Sequence, residues 1–202
     1  VIISNDKKLF AAGAINKRAV VCEVATGKVV AEFLTSGEIT SSLFALEGKR
    51  TRLILGTFTG IICIYGVHSQ EEQHSQKAMP KGEMITCMAI DRTYTRLAVG
   101  GKSPQVLLYE LELTTDTVGM SVLHSFNCDS SGITSLSLDG SFTKLVAGSE
   151  SKVISIWEMP SGATFEDVPE SLQATQFRTA STIHSIAING TGDKLAVGTS
   201  EH

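Results

Sequence analysis

Apolar residues in this chain come in short runs, with no stripe at helical spacing. One compact phrase recurs: a large apolar residue, two small or aliphatic residues, then glycine. It reads Phe10-Ala11-Ala12-Gly13, Leu53-Ile54-Leu55-Gly56, Leu97-Ala98-Val99-Gly100, Leu145-Val146-Ala147-Gly148 and Leu195-Ala196-Val197-Gly198. Its glycines, at 13, 56, 100, 148 and 198, lie 43, 44, 48 and 50 residues apart. A basic residue precedes the last four copies: Arg52, Arg96, Lys144 and Lys194. Nine residues beyond the first four glycines stand Cys22, Tyr65, Tyr109 and Trp157, each closing an aliphatic run and followed by Glu23, Gly66, Glu110 or Glu158. A further apolar stretch lies upstream of the later phrases, at residues 39–46, 85–90, 133–138 and 183–188, and Val1-Ile2-Ile3 is the tail of the first such stretch.

These runs are short, rich in Val, Ile, Leu and Thr, and bounded by turn residues: Asn5-Asp6, Glu47-Gly48, Asp91-Arg92, Asp139-Gly140 and Asn189-Gly190. That is strand and hairpin chemistry, because Gly and Asn tolerate the positive φ of tight turns. Alternation is clear in Ile133-Thr134-Ser135-Leu136-Ser137-Leu138 and in Ile183-His184-Ser185-Ile186-Ala187-Ile188. The glycine phrases are almost wholly apolar, which predicts strands buried on both faces, with Leu53, Leu97, Leu145 and Leu195 between neighbouring units. Each copy holds a first strand, a turn, a second strand ending at the glycine, a short loop and a third strand. A fourth is expected at residues 29–34, roughly 76–79, 122–126 and roughly 173–177. The polar segments 66–75, 111–120 and 159–172 read as surface loops.

Four short strands per repeat of this length fit the blade of a β-propeller. The chain reads as all-β: a propeller of four-stranded antiparallel blades, about four and a half of them present. The blades are placed at 1–34, 35–80, 81–127, 128–178 and an incomplete 179–202. Here the chain resembles the WD-repeat (WD40) family, over nearly its whole length. Trp157-Glu158 stands where that family's Trp-Asp pair belongs; Tyr65-Gly66, Tyr109-Glu110 and Cys22-Glu23 are degenerate forms of it. The family's Gly-His is missing from every copy, and Asn16, Thr59, Ser103 and Ser151 replace the Asp of the loop after the phrase. The family's usual His–Ser–Asp–Trp hydrogen-bond network therefore cannot form as such, and blade packing is expected to rest on apolar burial. Five second strands against four third strands predict a partial propeller that does not close on itself. Further blades or a neighbouring subunit are expected to cover its ends.

Composition changes this picture little. The chain has 202 residues, 42% hydrophobic and 19% charged, with a formal charge of −4. That excludes wholesale disorder and offers no basic face for nucleic acid. No apolar stretch approaches the length of a membrane helix. Cys22, Cys63, Cys87 and Cys128 have no close pairing of the zinc or redox kind, so reduced thiols in a cytoplasmic protein are expected. The cytoskeleton and the nucleus are alternatives within an intracellular location.

Candidate chemistry is sparse. Gly101-Lys102-Ser103 lacks the first glycine of a phosphate loop, since Arg96 occupies its place, and it joins two strands. His68, His74, His124, His184 and His202 are scattered, and no metal or cofactor is expected. Glu166, Asp167 and Glu170 read as a solvated acidic loop. Lys49, Arg50 and Arg52 form a basic hairpin too small for nucleic acid, and Asn189-Gly190-Thr191 is a turn rather than a glycosylation acceptor. The loops after each phrase share one face of a propeller, where the resemblance implies partner contacts. Phe58 lies in such a loop, either exposed for binding or folded over its own blade; Lys17, Arg18, Lys102, Pro104, Glu150 and Lys152 occupy matching loops. The reading is a non-catalytic scaffold for protein–protein interaction, a subunit of a larger ciliary or cytoskeletal, trafficking, ubiquitin-ligase or chromatin assembly. A propeller enzyme and a reader of a modified peptide or lipid headgroup are the alternatives.

Overall fold

The computed structural model describes residues 1–46, 48–79, 82–114, 117–128, 131–159 and 172–200. Glu47, Lys81, the acidic segment with Glu166, Asp167 and Glu170, and the terminal Glu201-His202 lie outside the described residues. Among those described, helical structure is confined to 3₁₀ geometry at Gly48–Arg50 and at Gly82, and no helix is long and apolar enough to cross a membrane.

The chain divides into two compact units, Val1–Ile85 with Leu113–Gly119, and Thr86–Glu112 with Met120–His202. The first unit holds two four-stranded antiparallel meanders. One is β1 (Ile2–Ile3), β2 (Leu9–Gly13), β3 (Arg18–Glu23) and β4 (Val29–Leu34); the other is β5 (Ile39–Ala45), β6 (Arg52–Thr57), β7 (Ile61–Gly66) and β8 (Glu71–Lys77). Their shared core includes Leu9, Val21, Phe33, Leu53, Leu55 and Tyr65. A third meander runs through β9 (Ile85–Ile90), β10 (Arg96–Gly101), β11 (Gln105–Leu113) and β12 (Val118–Asn127). The second unit adds β13 (Ile133–Leu138), β14 (Lys144–Ser149), β15 (Val153–Glu158) and β16 (Thr175–Arg178), then a two-stranded sheet of β17 (Ile183–Ile188) and β18 (Leu195–Thr199). The protein is all-β, and each four-stranded sheet is a propeller-type blade.

The recurring phrase is explained by strand register. Phe10 pairs with Cys22, Leu53 with Tyr65, Leu97 with Tyr109 and Leu145 with Trp157. The bulky residue nine places past each glycine thus lies opposite the residue three places before it. Period-two alternation then divides a strand between two neighbours. Leu145 and Ala147 of β14 join the core with the third sheet, while Val146 joins the core with β17 and β18.

The glycine itself marks close approach. A Cβ on Gly13 would lie 2.5 Å from Ile39 Cγ2, one on Gly100 2.8 Å from Ile133, and one on Gly148 2.7 Å from Ile183. In each case the isoleucine opens the first strand of the next sheet, so the phrase ends in glycine because the next sheet packs against its backbone. Aromatic pairs bind the same neighbours further out. Phe33 of β4 stacks on Tyr65 of β7 at 4.5 Å, and Phe126 of β12 packs on Trp157 of β15 at 5.2 Å.

Several expectations are corrected. The second sheet's fourth strand is Glu71–Lys77, earlier than 76–79, and residues 66–75 are a tight turn followed by a strand rather than a loop. Its sequence, Glu-Glu-Gln-His-Ser-Gln-Lys, is polar because an edge strand is held by backbone pairing and leaves its side chains in water. Residues 111–113 and 118–120 are likewise strand, the end of β11 and the start of β12, which pair in one sheet. The fourth strand of the fourth sheet is Thr175–Arg178. Leu53, Leu97 and Leu145 are fully buried, but Leu195 is only partly so, because β18 pairs with β17 alone among the described residues. β2 and β18 are not buried on both faces.

Candidate interaction surface

The turns that follow each phrase are built from the backbone outward. Thr57 Oγ1 bonds Ile61 N and Ile61 O and lies 3.1 Å from Thr59 Oγ1; Ser149 repeats this with Val153 and Ser151. A hydroxyl pair at these two positions closes the turn. The fourth residue past the glycine is left-handed in three sheets: Lys17 (φ 67°), Gly60 (φ 76°) and Lys152 (φ 69°). Pro104 occupies that place in the third sheet and cannot adopt positive φ, so that turn differs.

In the first unit two such turns meet one segment. Ile39 N donates to Ala14 O, and Phe58 N donates to Glu38 O at 2.8 Å. These adjacent acceptances set Ile15 and Phe58 on either side of Glu38-Ile39. Ile15 is 78% exposed and Phe58 53% exposed. Lys17 and Arg18 are exposed at the same end, and Leu34, paired in register with Arg18, is 69% exposed. Below this surface Tyr65 OH donates to the Glu72 carboxylate at 2.7 Å, with Leu34 O 3.1 Å away. Burial, joined by that carboxylate, pushes the Tyr65 phenol well above its ordinary range. It serves as a neutral anchor for β4.

The second unit brings together Lys102, Glu150, Lys152 and Pro104 differently. Lys102 Nζ pairs with Glu150 Oε1 at 2.5 Å, Lys152 Nζ donates to Ala180 O at 2.8 Å, and Pro104 O accepts Cys128 N. These charges are spent on neighbouring turns, whereas the turn end of the first unit sets the exposed basic side chains of Lys17 and Arg18 beside exposed apolar ones. Ile15 and Leu34 are absent from the sequence-based candidates. A bulky apolar residue in the short turn Ala14-Ile15-Asn16-Lys17 was the available signal for Ile15. Nothing local distinguished Leu34, whose exposure follows from its place on an outer strand.

Among the described residues no three His, Cys, Asp or Glu side chains are grouped to hold a metal ion. Burial raises the Cys87 thiol to about 12, with Thr86 bonding and Cys128 nearby as lesser influences, and burial likewise raises Cys63. These are packed thiols rather than nucleophiles.

No curated protein matches the chain. The family model described as WD domain, G-beta repeat (WD40) matches residues 120–158. That segment begins within β12 and ends at Glu158 of β15, so one sequence repeat runs from the outer strand of one sheet through three strands of the next. The chain carries a WD40 repeat, and its other four-stranded sheets follow the same strand plan.

Proposed function

We propose that this chain is a non-catalytic scaffold, a subunit of a larger intracellular assembly, that docks another protein on the turn end of its first unit. A WD40 repeat supports a protein-interaction role in general. The observation that carries the finer reading is the exposed trio Ile15, Leu34 and Phe58 beside Lys17 and Arg18. Apolar anchors rimmed by charge are the ordinary make-up of a binding hot spot. Affinity purification from cells with quantitative mass spectrometry tests it. A chain bearing Ile15→Asp and Phe58→Asp, with an unchanged thermal melt, loses at least tenfold of its co-purifying proteins. A chain bearing Lys102→Ala and Glu150→Ala retains them. Equal recovery with all three chains overturns the assignment of this surface.

A further inference from the structure

The opposite end of the first unit holds a cleft of about 570 Å³, within the range of ligand sites. It lies between the turn joining β1 to β2, the turn joining β3 to β4, and the hairpin joining β5 to β6. Its floor is apolar: buried Leu9, with Val24 (46% exposed) and Ala25 open to the cleft. Lys7, Lys8 and Lys49 stand around it with Asp6 and Glu23.

The two signs of charge are not equally available. Asp6 accepts from Ser4 Oγ at 2.7 Å and from Lys8 N at 3.1 Å, with Lys8 Nζ 4.0 Å away. The Ser4 hydroxyl, then the Lys8 amide, hold its carboxyl below the ordinary range. Glu23 accepts from Thr26 Oγ1 at 2.7 Å. Both carboxylates thus serve their own turns. The ammonium groups of Lys7 and Lys49 have no ion-pair or hydrogen-bond partner among the described residues. Their backbones are fixed: Lys7 sits in a left-handed turn (φ 59°) closed by Lys7 N to Ser4 O, and Gly48 (φ 61°) opens the turn that carries Lys49. The backbone positions that carry both cations are therefore set beside the apolar floor before any ligand arrives, which lowers the backbone share of the ordering cost of binding.

We infer that this cleft binds an acidic peptide segment, with one apolar side chain on Leu9, Val24 and Ala25 and flanking carboxylates on Lys7 and Lys49. The inference rests on the scaffold reading and adds a second docking point with a defined partner chemistry.

The test is selection of a random peptide library on the immobilised chain, followed by fluorescence anisotropy of the enriched peptides. The expected consensus is an apolar residue flanked by Asp or Glu. Lys7→Glu with Lys49→Glu weakens binding at least tenfold, Ala25→Trp weakens it by filling the floor, and Lys17→Glu at the far end leaves it within twofold. Binding also falls as salt rises. Enriched peptides that lack acidic residues, or that bind the Lys7→Glu, Lys49→Glu chain equally well, overturn the inference. So does octanoate competing as strongly as the peptides, which would make the cleft a fatty-carboxylate site. If no peptide is enriched while Ile15→Asp with Phe58→Asp still strips partners, the cleft assignment falls and the scaffold reading stands.

Discussion

β14 and β18 carry nearly the same phrase, Lys-Leu-Val-Ala-Gly and Lys-Leu-Ala-Val-Gly, yet share little of the same environment. β14 is buried from Leu145 to Ser149; β18 alternates between half-buried and exposed. β14 pairs with β13 and β15 and contributes to a core on each face, whereas β18 pairs with β17 alone among the described residues. The phrase therefore specifies a strand able to be sandwiched, and the neighbours determine how much of it is. In a repeat protein stability is largely a sum of such interface terms.

Matched substitutions break this comparison at its strongest point. Leu145→Ala removes a fully buried side chain from the core around Trp157 and costs about 2–5 kcal/mol. Leu195→Ala, at the same place in the phrase, costs about 1 kcal/mol because its side chain already meets water. Chemical denaturation of both variants measures the difference; equal losses would refute the role of the neighbours. Next in size is the glycine. A Cβ on Gly148 would sit 2.6 Å from Ile186 Cδ1 and 2.7 Å from Ile183 Cγ2, so Gly148→Ala costs about 1–3 kcal/mol. At Gly198 the nearest atom is 3.7 Å away, and Gly198→Ala is neutral or stabilises by up to about 1 kcal/mol. A common sign for the two would show that the close approach does not govern this position.

A smaller effect concerns how β17 is tied to β13. Ile186 N donates to Ser135 Oγ at 2.9 Å, and Ile188 N to Ser137 Oγ at 3.1 Å. The polar positions of the alternating first strand thus satisfy edge amides of the next sheet. Ser137→Ala leaves Ile188 N without its protein acceptor and costs about 1 kcal/mol. Hydrogen exchange at Ile188 should quicken by about fivefold with Ile156 unchanged; an unaltered rate would show that this tether does not protect β17.

What the sequence disclosed follows from which forces act locally. Strands with a repeated apolar register, such as Leu53–Tyr65 and Leu145–Trp157, were legible because burial repeats wherever a sheet does. β8 was misplaced because Glu71–Lys77 contributes backbone hydrogen bonds and almost no apolar pattern. The loop candidates fell in matching turns, but their chemistry differed: Lys102 and Lys152 are occupied by Glu150 and Ala180, while Ile15, unnoticed, stands open. The cleft was invisible for another reason. Lys7 and Lys49 come from hairpins of different sheets, and no spacing rule joins them.

The equivalent turns before β14 and β18 give the finest comparison. Asp139 Oδ1 accepts Lys144 N at 2.8 Å, and Asn189 Oδ1 accepts Lys194 N at 2.9 Å, so an acid and an amide hold the same backbone turn. Burial works against the charged form of Asp139. The Lys144 amide and then the hydroxyls of Ser141 and Thr143 outweigh it, and the carboxyl is held below its ordinary range. A folded-state value below the unfolded one contributes stability that is present above the unfolded value, about 3.9, and is lost as pH falls through the folded one. Asp139→Asn should therefore change the melting temperature little at pH 7, since Asn189 shows that an amide suits the turn. Between pH 5 and the acid limit the variant should lose less stability than the parent chain. Parallel acid titrations of melting temperature decide it, and curves that stay parallel down to the acid limit would show that Asp139 contributes no proton-linked stability.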